Sequence, residues 1–303
     1  MIKLKNSERH VVVGLVQMRM VRSPGENVEK AVRKIREAVK KGAQILLLPE
    51  LFRTQYFPQS RSTEHFQLAE TIPGPTTEVF QRLARELEVV IIVPVFESHG
   101  QHLYHNTAVV IDQDGQMKGI YRKMHIPDSP LFYERHYFTP GDLGFKCFET
   151  RFGKVGVLIC WDQWFPEAAR LVALSGADIL FYPTAIGWVS KERKAERMRE
   201  RTAWEMIQRA HAIANGMFVA VANRVGHEGE LAFWGRSFVA GPLGELIAQA
   251  SGSREEILIG RCDLSLISRV RQEWPFLLDR RIDVYQAMAS NSGADGIQPQ
   301  LKI

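Results

Sequence analysis

Short apolar runs alternate along this chain with longer stretches in which hydrophobic residues recur every third or fourth position. Val11-Val12-Val13-Gly14-Leu15-Val16 is rich in β-branched side chains and predicts a buried strand. Ser23-Pro24 then opens a helix whose Val28, Ala31, Ile35 and Val39 share a face, and Gly42 closes it. Gln44 to Leu48 predicts the next strand, so the chain begins β-α-β. A second unit repeats the plan. Thr76 and Thr77 cap a helix carrying Phe80, Leu83 and Leu87, and a strand from Val89 to Phe96 follows.

The middle of the chain departs from this alternation. Apolar runs at Thr107 to Ile111 and Gln116 to Arg122 flank Asp112-Gln113-Asp114-Gly115, a hairpin signal. Lys154 to Ile159 predicts a strand that ends at Cys160, and Pro166 starts a short helix. Ala177 to Tyr182 predicts another strand. Lys191 to Asn215 reads as a long helix with Ala203, Ile207, Ala210 and Ala214 on one face and Gly216 just past its end. Met217 to Ala222, Phe233 to Ala240, Leu246 to Ala250 and Ile257 to Cys262 predict further strands. Strands apolar on both faces need cover on both sides. Two sheets face to face with helices outside satisfy this, and so does a single doubly wound sheet. Periodicity does not choose between them.

Composition narrows the class. With 303 residues, 45% hydrophobic and no linker-like stretch, residues 1–290 are expected to form a single domain. The polar segment 291–303 reads as a flexible tail or an arm onto a partner subunit. The net charge of +5 is spread among mixed signs. Its one basic concentration, Lys191 to Arg201, also carries Glu192, Glu196 and Glu200 and reads as a solvated helix face. Nucleic acid is therefore not an expected partner. No apolar run approaches the ~20 residues a membrane span needs. The N-terminal residues lack the apolar core of a signal peptide. Three widely spaced cysteines form no disulfide framework and imply a reducing compartment. A cytoplasmic protein is expected.

Three of the strand ends carry reactive groups. Ile45 to Pro49 delivers Glu50, Gly119 to Arg122 delivers Lys123, and Lys154 to Ile159 delivers Cys160. Parallel α/β sheets place chemistry at the carboxyl ends of their strands. A thiol, a carboxylate and an amine there read as nucleophile, base and electrostatic stabiliser. Beyond Cys160, the sequence Trp161-Asp162-Gln163-Trp164-Phe165-Pro166 turns sharply toward a helix. That turn is expected to lower the thiol pKa and to offer backbone N–H groups to an oxyanion. Leu51, Phe52, Tyr56 and Phe57 enclose Glu50, which suits a carboxyl to general-base work. Glu134 is a candidate to orient Lys123 or the attacking water, and a salt bridge with Arg135 is the alternative. Asp162 is a candidate for substrate binding, with an ordinary helix cap as the favoured alternative. Cys147 and Cys262 read as structural and His125 as a packing residue. No spacing suggests a metal or a phosphate loop.

Leu48-Pro49-Glu50-Leu51-Phe52, Tyr121 through Pro127 and Gly156 through Asp162 resemble, in order, the three catalytic blocks of the nitrilase, or carbon–nitrogen hydrolase, superfamily. The resemblance runs from about Val11 to Tyr285. It implies the four-layer α-β-β-α sandwich, no cofactor, and association of dimers through helices flanking the sandwich. It also implies Cys160 as nucleophile, Glu50 as base, Lys123 as oxyanion stabiliser and Glu134 as an additional carboxylate; the Trp161 backbone N–H, in the turn after Cys160, is the candidate second oxyanion donor. Phe138 to Asp142, Cys160 to Glu167, Tyr182 to Gly187, Phe233 to Gly235 and Asp279 to Tyr285 look most like the branch acting on N-carbamoylputrescine. One departure stands out. Plant-like members carry Ser-Glu-Pro after Ala-Ile-Gly, with a glutamate able to face the substrate's distal ammonium, where this chain has Trp188-Val189-Ser190.

The branch implies cleavage to putrescine, CO₂ and ammonia. Tyr56, Tyr133 and Trp188 would line the pocket, with Asp128, Asp162 or Glu192 to meet the ammonium. Hydrolysis of N-carbamoyl amino acids is the nearest alternative, with Arg193 or Arg236 for the carboxylate. An aliphatic amidase, a glutamine-hydrolysing subunit and a catalytically silent binding module are more distant ones.

Overall fold

A computed structural model describes residues 9–100, 102–190 and 193–285. Two six-stranded sheets form its centre. The first contains His10–Gln17, Ile45–Leu47, Val90–Ser98, Tyr104–Ile111, Met117–Arg122 and Glu256–Asp263. The second contains Cys147–Thr150, Gly153–Val157, Ile179–Thr184, Phe218–Asn223, Phe238–Ala240 and Leu246–Gln249. Side chains alternate across each strand, so one run serves two layers. Ile45 and Leu47 join a core shared with Val157, Phe181 and Val221 of the other sheet. Leu46 and Leu48 face the opposite way, into a core with Ala31, Ile35, Phe80 and Leu83. The doubly wound alternative is thereby excluded: this is the α-β-β-α sandwich.

The outer helices are α1 (Pro24–Lys40), α2 (Pro75–Leu87), α3 (Pro166–Leu174), α4 (Lys194–Asn215) and α5 (Ser265–Glu273). Ser23 caps α1 by accepting from the Glu26 N–H. Truncating a fully buried residue such as Ile35 to Ala is expected to cost about 2–5 kcal/mol. α3 lies close on the strand that leads to Cys160 because Gly156 has no side chain. A Cβ there would sit 2.1 Å from Val172 Cγ1.

Three expectations need correction. Thr76 and Thr77 lie inside α2; Gly74 is its cap residue, and Thr77 Oγ1 reaches back to the Gly74 N–H at 2.8 Å. Phe233 to Ala240 is two strands, because Gly235 and Arg236 both adopt positive φ and turn the chain between sheets. The buried face of α4 is Trp204, Gln208, His211, Ala212 and Asn215 rather than the alanine stripe. One hydrogen bond each offsets part of the cost of burying these polar groups: Gln208 and Asn215 each donate to a carbonyl one turn back, and His211 meets the Tyr182 hydroxyl, while Gln208 Oε1, His211 Nε2 and Asn215 Oδ1 have no partner among the described residues. Hydrophobic spacing alone could not anticipate that. The tail expected at 291–303, and Glu192, lie outside the described residues.

Candidate active site

Strand direction gathers the reactive groups. His10–Gln17, Ile45–Leu47 and Val90–Ser98 run parallel, and two antiparallel steps return Met117–Arg122 to the same direction. Glu50 and Lys123 therefore leave the first sheet at one end. In the second sheet Gly153–Val157, Ile179–Thr184 and Phe218–Asn223 are parallel. They deliver Cys160, Ala185 and Arg224.

Lys123 lies between two carboxylates. Its Nζ donates to Glu50 Oε1 at 2.8 Å and to Glu134 Oε2 at 2.6 Å, and all three side chains are at most 1% exposed. Burial favours a neutral amine, but Glu134, Glu50 and Cys160 outweigh it, and the Lys123 pKa is raised. Tyr56 donates its hydroxyl to Glu134 Oε1 at 2.7 Å. Burial, opposed by Lys123 and assisted by the Glu50 charge, pushes Glu134 up to about 7. The alternative of a surface pair between Glu134 and Arg135 is not what forms: Arg135 donates to the Ile126 carbonyl.

Glu50 uses its two oxygens differently. Oε1 accepts from Lys123 and, at 2.7 Å, from Asn106 Nδ2. Oε2 is buried and has no hydrogen-bond partner among the described residues. A carboxylate anchored through one oxygen keeps the other for a proton.

Cys160 opens a short 3₁₀ turn, Cys160–Trp164, with φ at +44°. That left-handed conformation is costly for a residue with a Cβ. The turn was expected to lower the thiol pKa; it is raised instead. Burial contributes most and Glu50 and Glu134 add to it, against Lys123 and the Ala185 N–H. The resting group is a thiol, whose proton needs a base.

Asp162, a candidate substrate ligand, is fully buried and occupied. Its Oδ2 accepts from the Ile159 N–H at 2.9 Å and the Tyr121 hydroxyl at 2.8 Å. Its Oδ1 accepts from the His125 N–H and meets His125 Nδ1. It caps the Cys160 turn itself. His125 is indeed a packing residue, stacked on Phe165 at 3.6 Å between ring centroids.

A cavity of about 340 Å³ opens onto Cys160. Tyr56, Phe132, Trp161, Trp164, Ala185 and Trp234 supply most of its wall, and Glu134 and Glu200 its two carboxylates. Tyr133 is outside that lining, with Arg61 stacked on its ring at 4.4 Å. Successive residues of an extended segment point to opposite sides, so Phe132 faces the cavity and Tyr133 does not. The same parity puts Gly187 on the lining and Trp188 behind Trp234, ring centroids 5.1 Å apart. Asp128 pairs with Arg61 at 3.6 Å.

Three site residues escaped the sequence reading: Asn106, Arg224, and Glu200, which lines the cavity from a helix face read as merely solvated. Asn106 lies inside a strand among apolar neighbours and gave no signal. Arg224 follows Asn223 at the carboxyl end of a parallel strand, the same rule that singled out Glu50 and Cys160, and could have been found by it. Among the described residues no three His, Cys, Asp or Glu side chains gather as a metal-ligand set.

Residues 12–272 match the family model for carbon–nitrogen hydrolases. This chain belongs to the carbon–nitrogen hydrolase family. Among carbon–nitrogen hydrolases it is similar to the N-carbamoylputrescine amidase of Oryza sativa subsp. japonica, at 45% identity over 93% of this chain and 96% of that one. The citrullinase of Francisella tularensis is 39% identical over 91% of this chain and 97% of its own. The crystal structure of a carbon–nitrogen hydrolase from Helicobacter pylori G27 superposes with a TM-score of 0.90 at 45% identity. It covers 93% of this chain and 99% of that one. No helix among the described residues is long and apolar enough to cross a membrane.

Proposed function

We propose that this chain hydrolyses the ureido group of N-carbamoylputrescine to putrescine, CO₂ and ammonia, with Cys160 as nucleophile. Glu50 Oε2 takes the thiol proton as sulfur attacks the carbonyl carbon. The displaced electron pair forms an oxyanion held by the Lys123 ammonium and the Trp161 N–H. Collapse expels ammonia, which receives the proton from Glu50, and leaves a thiocarbamate, Cys160 Sγ–CO–NH–R, on the nucleophile. Water, deprotonated by Glu50, then attacks the thiocarbamate carbon, and the second collapse returns the proton to sulfur. The carbamic acid formed loses CO₂. A raised thiol pKa suits this order of events, because the proton leaves only as the C–S bond forms.

The observation that carries the chemistry is the asymmetry of Glu50, with Oε1 anchored, Oε2 buried without a partner among the described residues, and a charge that acts on the Cys160 thiol. Glu134 holds Lys123 in place and, with Tyr56, forms the floor of the cavity. The substrate reading rests on the relatives' names and on the carboxylates in the cavity wall. Arg193 and Arg236, the candidate cations for an anionic tail, are paired with acids of the chain itself. Arg193 pairs with Glu196, and Arg236 with Glu205 at 3.4 Å. Citrulline shares the ureido group but carries an α-carboxylate beside its α-ammonium, and that carboxylate would meet a wall holding Glu134 and Glu200.

Ammonia release from N-carbamoylputrescine, N-carbamoyl-β-alanine, citrulline and a simple amide, with Cys160→Ala as control, tests the reading. The putrescine derivative is expected to turn over fastest and the variant to be silent. Preference for citrulline or N-carbamoyl-β-alanine would overturn the substrate, and turnover by Cys160→Ala the chemistry.

Three free thiols accord with a reducing compartment such as the cytoplasm. Exposed Leu171, Leu174, Met206, Trp274, Phe276 and Leu278 near α3 and α4 support dimerisation on that face, which sedimentation would detect.

A further inference from the structure

The cavity wall holds an acid that does not belong to the Glu50–Lys123–Glu134 cluster. Glu200 comes from α4, is itself exposed, and so stands toward the solvent side of a cavity whose inner side holds Cys160 and Glu134. Ala203, one turn along the same helix, also lines the cavity and leaves room beside it.

Two contacts fix Glu200 relative to the nucleophile. Trp204, fully buried, donates its indole N–H to Gln163 Oε1 at 2.8 Å. Gln163 is part of the Cys160–Trp164 turn, so this bond ties the rotation of α4 to Cys160. Trp204 also meets Trp234 and Phe238 edge-on, with ring centroids 5.7 and 5.5 Å apart. At the start of the helix the Trp188 indole donates to the Arg197 carbonyl at 3.0 Å. Glu200 lies between these two anchors.

We propose that Glu200 is the specificity residue for the substrate's tail. Its carboxylate meets a primary ammonium carried across an alkyl chain from the ureido group, while Phe132, Trp161, Trp164 and Trp234 cover the methylenes. The site then selects ureidoalkylamines over neutral and anionic tails. The proposal rests on the ureido-hydrolase reading above and names what that site recognises. Because Glu200 is exposed, the attraction is partly screened, and its effect on binding is moderate and salt-dependent.

The test compares N-carbamoylputrescine, N-butylurea and N-carbamoyl-4-aminobutyrate, which share the ureido end and differ in tail charge. Glu200→Gln is expected to raise KM for N-carbamoylputrescine about 3- to 5-fold, with far less change in kcat or in KM for N-butylurea. Glu200→Lys is expected to cost about 10-fold with N-carbamoylputrescine and to improve the anionic substrate. Added salt should raise KM for the cationic substrate in the parent and not in Glu200→Gln. A parent preference for the cationic tail that survives both substitutions overturns this inference alone. A parent that shows no preference for the cationic tail overturns the substrate reading and this inference with it. Equal losses on all three substrates would make Glu200 a structural residue and also overturn it.

Discussion

Arg224 Nη2 donates to the backbone carbonyl of Glu50 at 2.8 Å, and to that of Leu51 at 3.0 Å. Leu51 has φ of +49°, so the guanidinium holds the chain where Glu50 leaves its strand in a conformation a leucine rarely adopts. Arg224 Nη1 is bound by both oxygens of Glu228 at 2.9 Å, and Glu228 in turn accepts from the Tyr56 N–H. One buried ion pair thus positions the backbone of the base and of the tyrosine that holds Glu134.

Arg224→Ala would leave Glu228 buried without its cation, at a cost of about 3–5 kcal/mol by denaturant unfolding. Arg224→Lys keeps the charge but supplies no planar fork to span Glu228 and two carbonyls. It is expected to fold and to lose kcat about 10-fold or more, since small misplacements of a catalytic group cost rates of that order. A lysine variant with normal kcat would remove Arg224 from the positioning role.

How far the sequence reached can be read from particular residues. Cys160, Glu50 and Lys123 were legible as candidates because each closely follows an apolar strand run and carries a reactive group, which few of the strand ends do. The choice of the sandwich was not legible from periodicity. Ile45 and Leu46 look alike in sequence, and only the second sheet distinguishes the layer each one faces. Tyr133 and Trp188 were expected one position away from the residues that line the cavity, the typical error when strand parity is unknown. The direction of the thiol pKa was not legible because burial and two carboxylates from distant positions, Glu50 and Glu134, raise what the turn alone would lower.

Glu134 makes a pH dependence testable. Its folded pKa of about 7 lies above the ordinary 4.5, so between these values the folded state holds more of this proton than the unfolded one. Stability from this group is therefore present at low pH and lost as pH rises toward 7, on the order of 1–3 kcal/mol. His211, lowered to about 4 by burial, acts with the opposite sign. The informative quantity is thus the difference between parent and Glu134→Gln. Urea unfolding from pH 5 to 8 should show the parent losing stability relative to the variant as pH rises; a flat or reversed difference would contradict the assignment.

Asp162 is expected to act through folding rather than through substrate. Asp162→Ala strands the Ile159 and His125 N–H groups and the Tyr121 hydroxyl in a buried site, so a loss of about 3–5 kcal/mol is expected. Tyr121→Phe removes the hydroxyl's bond to Asp162 and its contact with the Met124 backbone, and leaves Asp162 its other partners, for about 1–2 kcal/mol. Whatever activity Asp162→Ala retains should fall equally for cationic, neutral and anionic tails. A selective rise in KM for N-carbamoylputrescine would restore Asp162 as a substrate ligand.

The backbone at Cys160 offers a test free of catalysis. Cys160→Ala and Cys160→Gly both lack the thiol and should be silent toward every substrate. At an ordinary position glycine is less stable than alanine by up to about 1 kcal/mol. At φ of +44° an alanine Cβ carries the left-handed penalty, about 1–2 kcal/mol, and glycine escapes it. The order should therefore invert, with Cys160→Gly the more stable of the two by roughly 1 kcal/mol in urea. Each variant removes the sulfur, so the lost thiol packing largely cancels between them. If alanine proved the more stable, the turn would relax once the thiol is gone, and the strain would belong to the side chain's contacts with Glu50 and Lys123 rather than to the backbone.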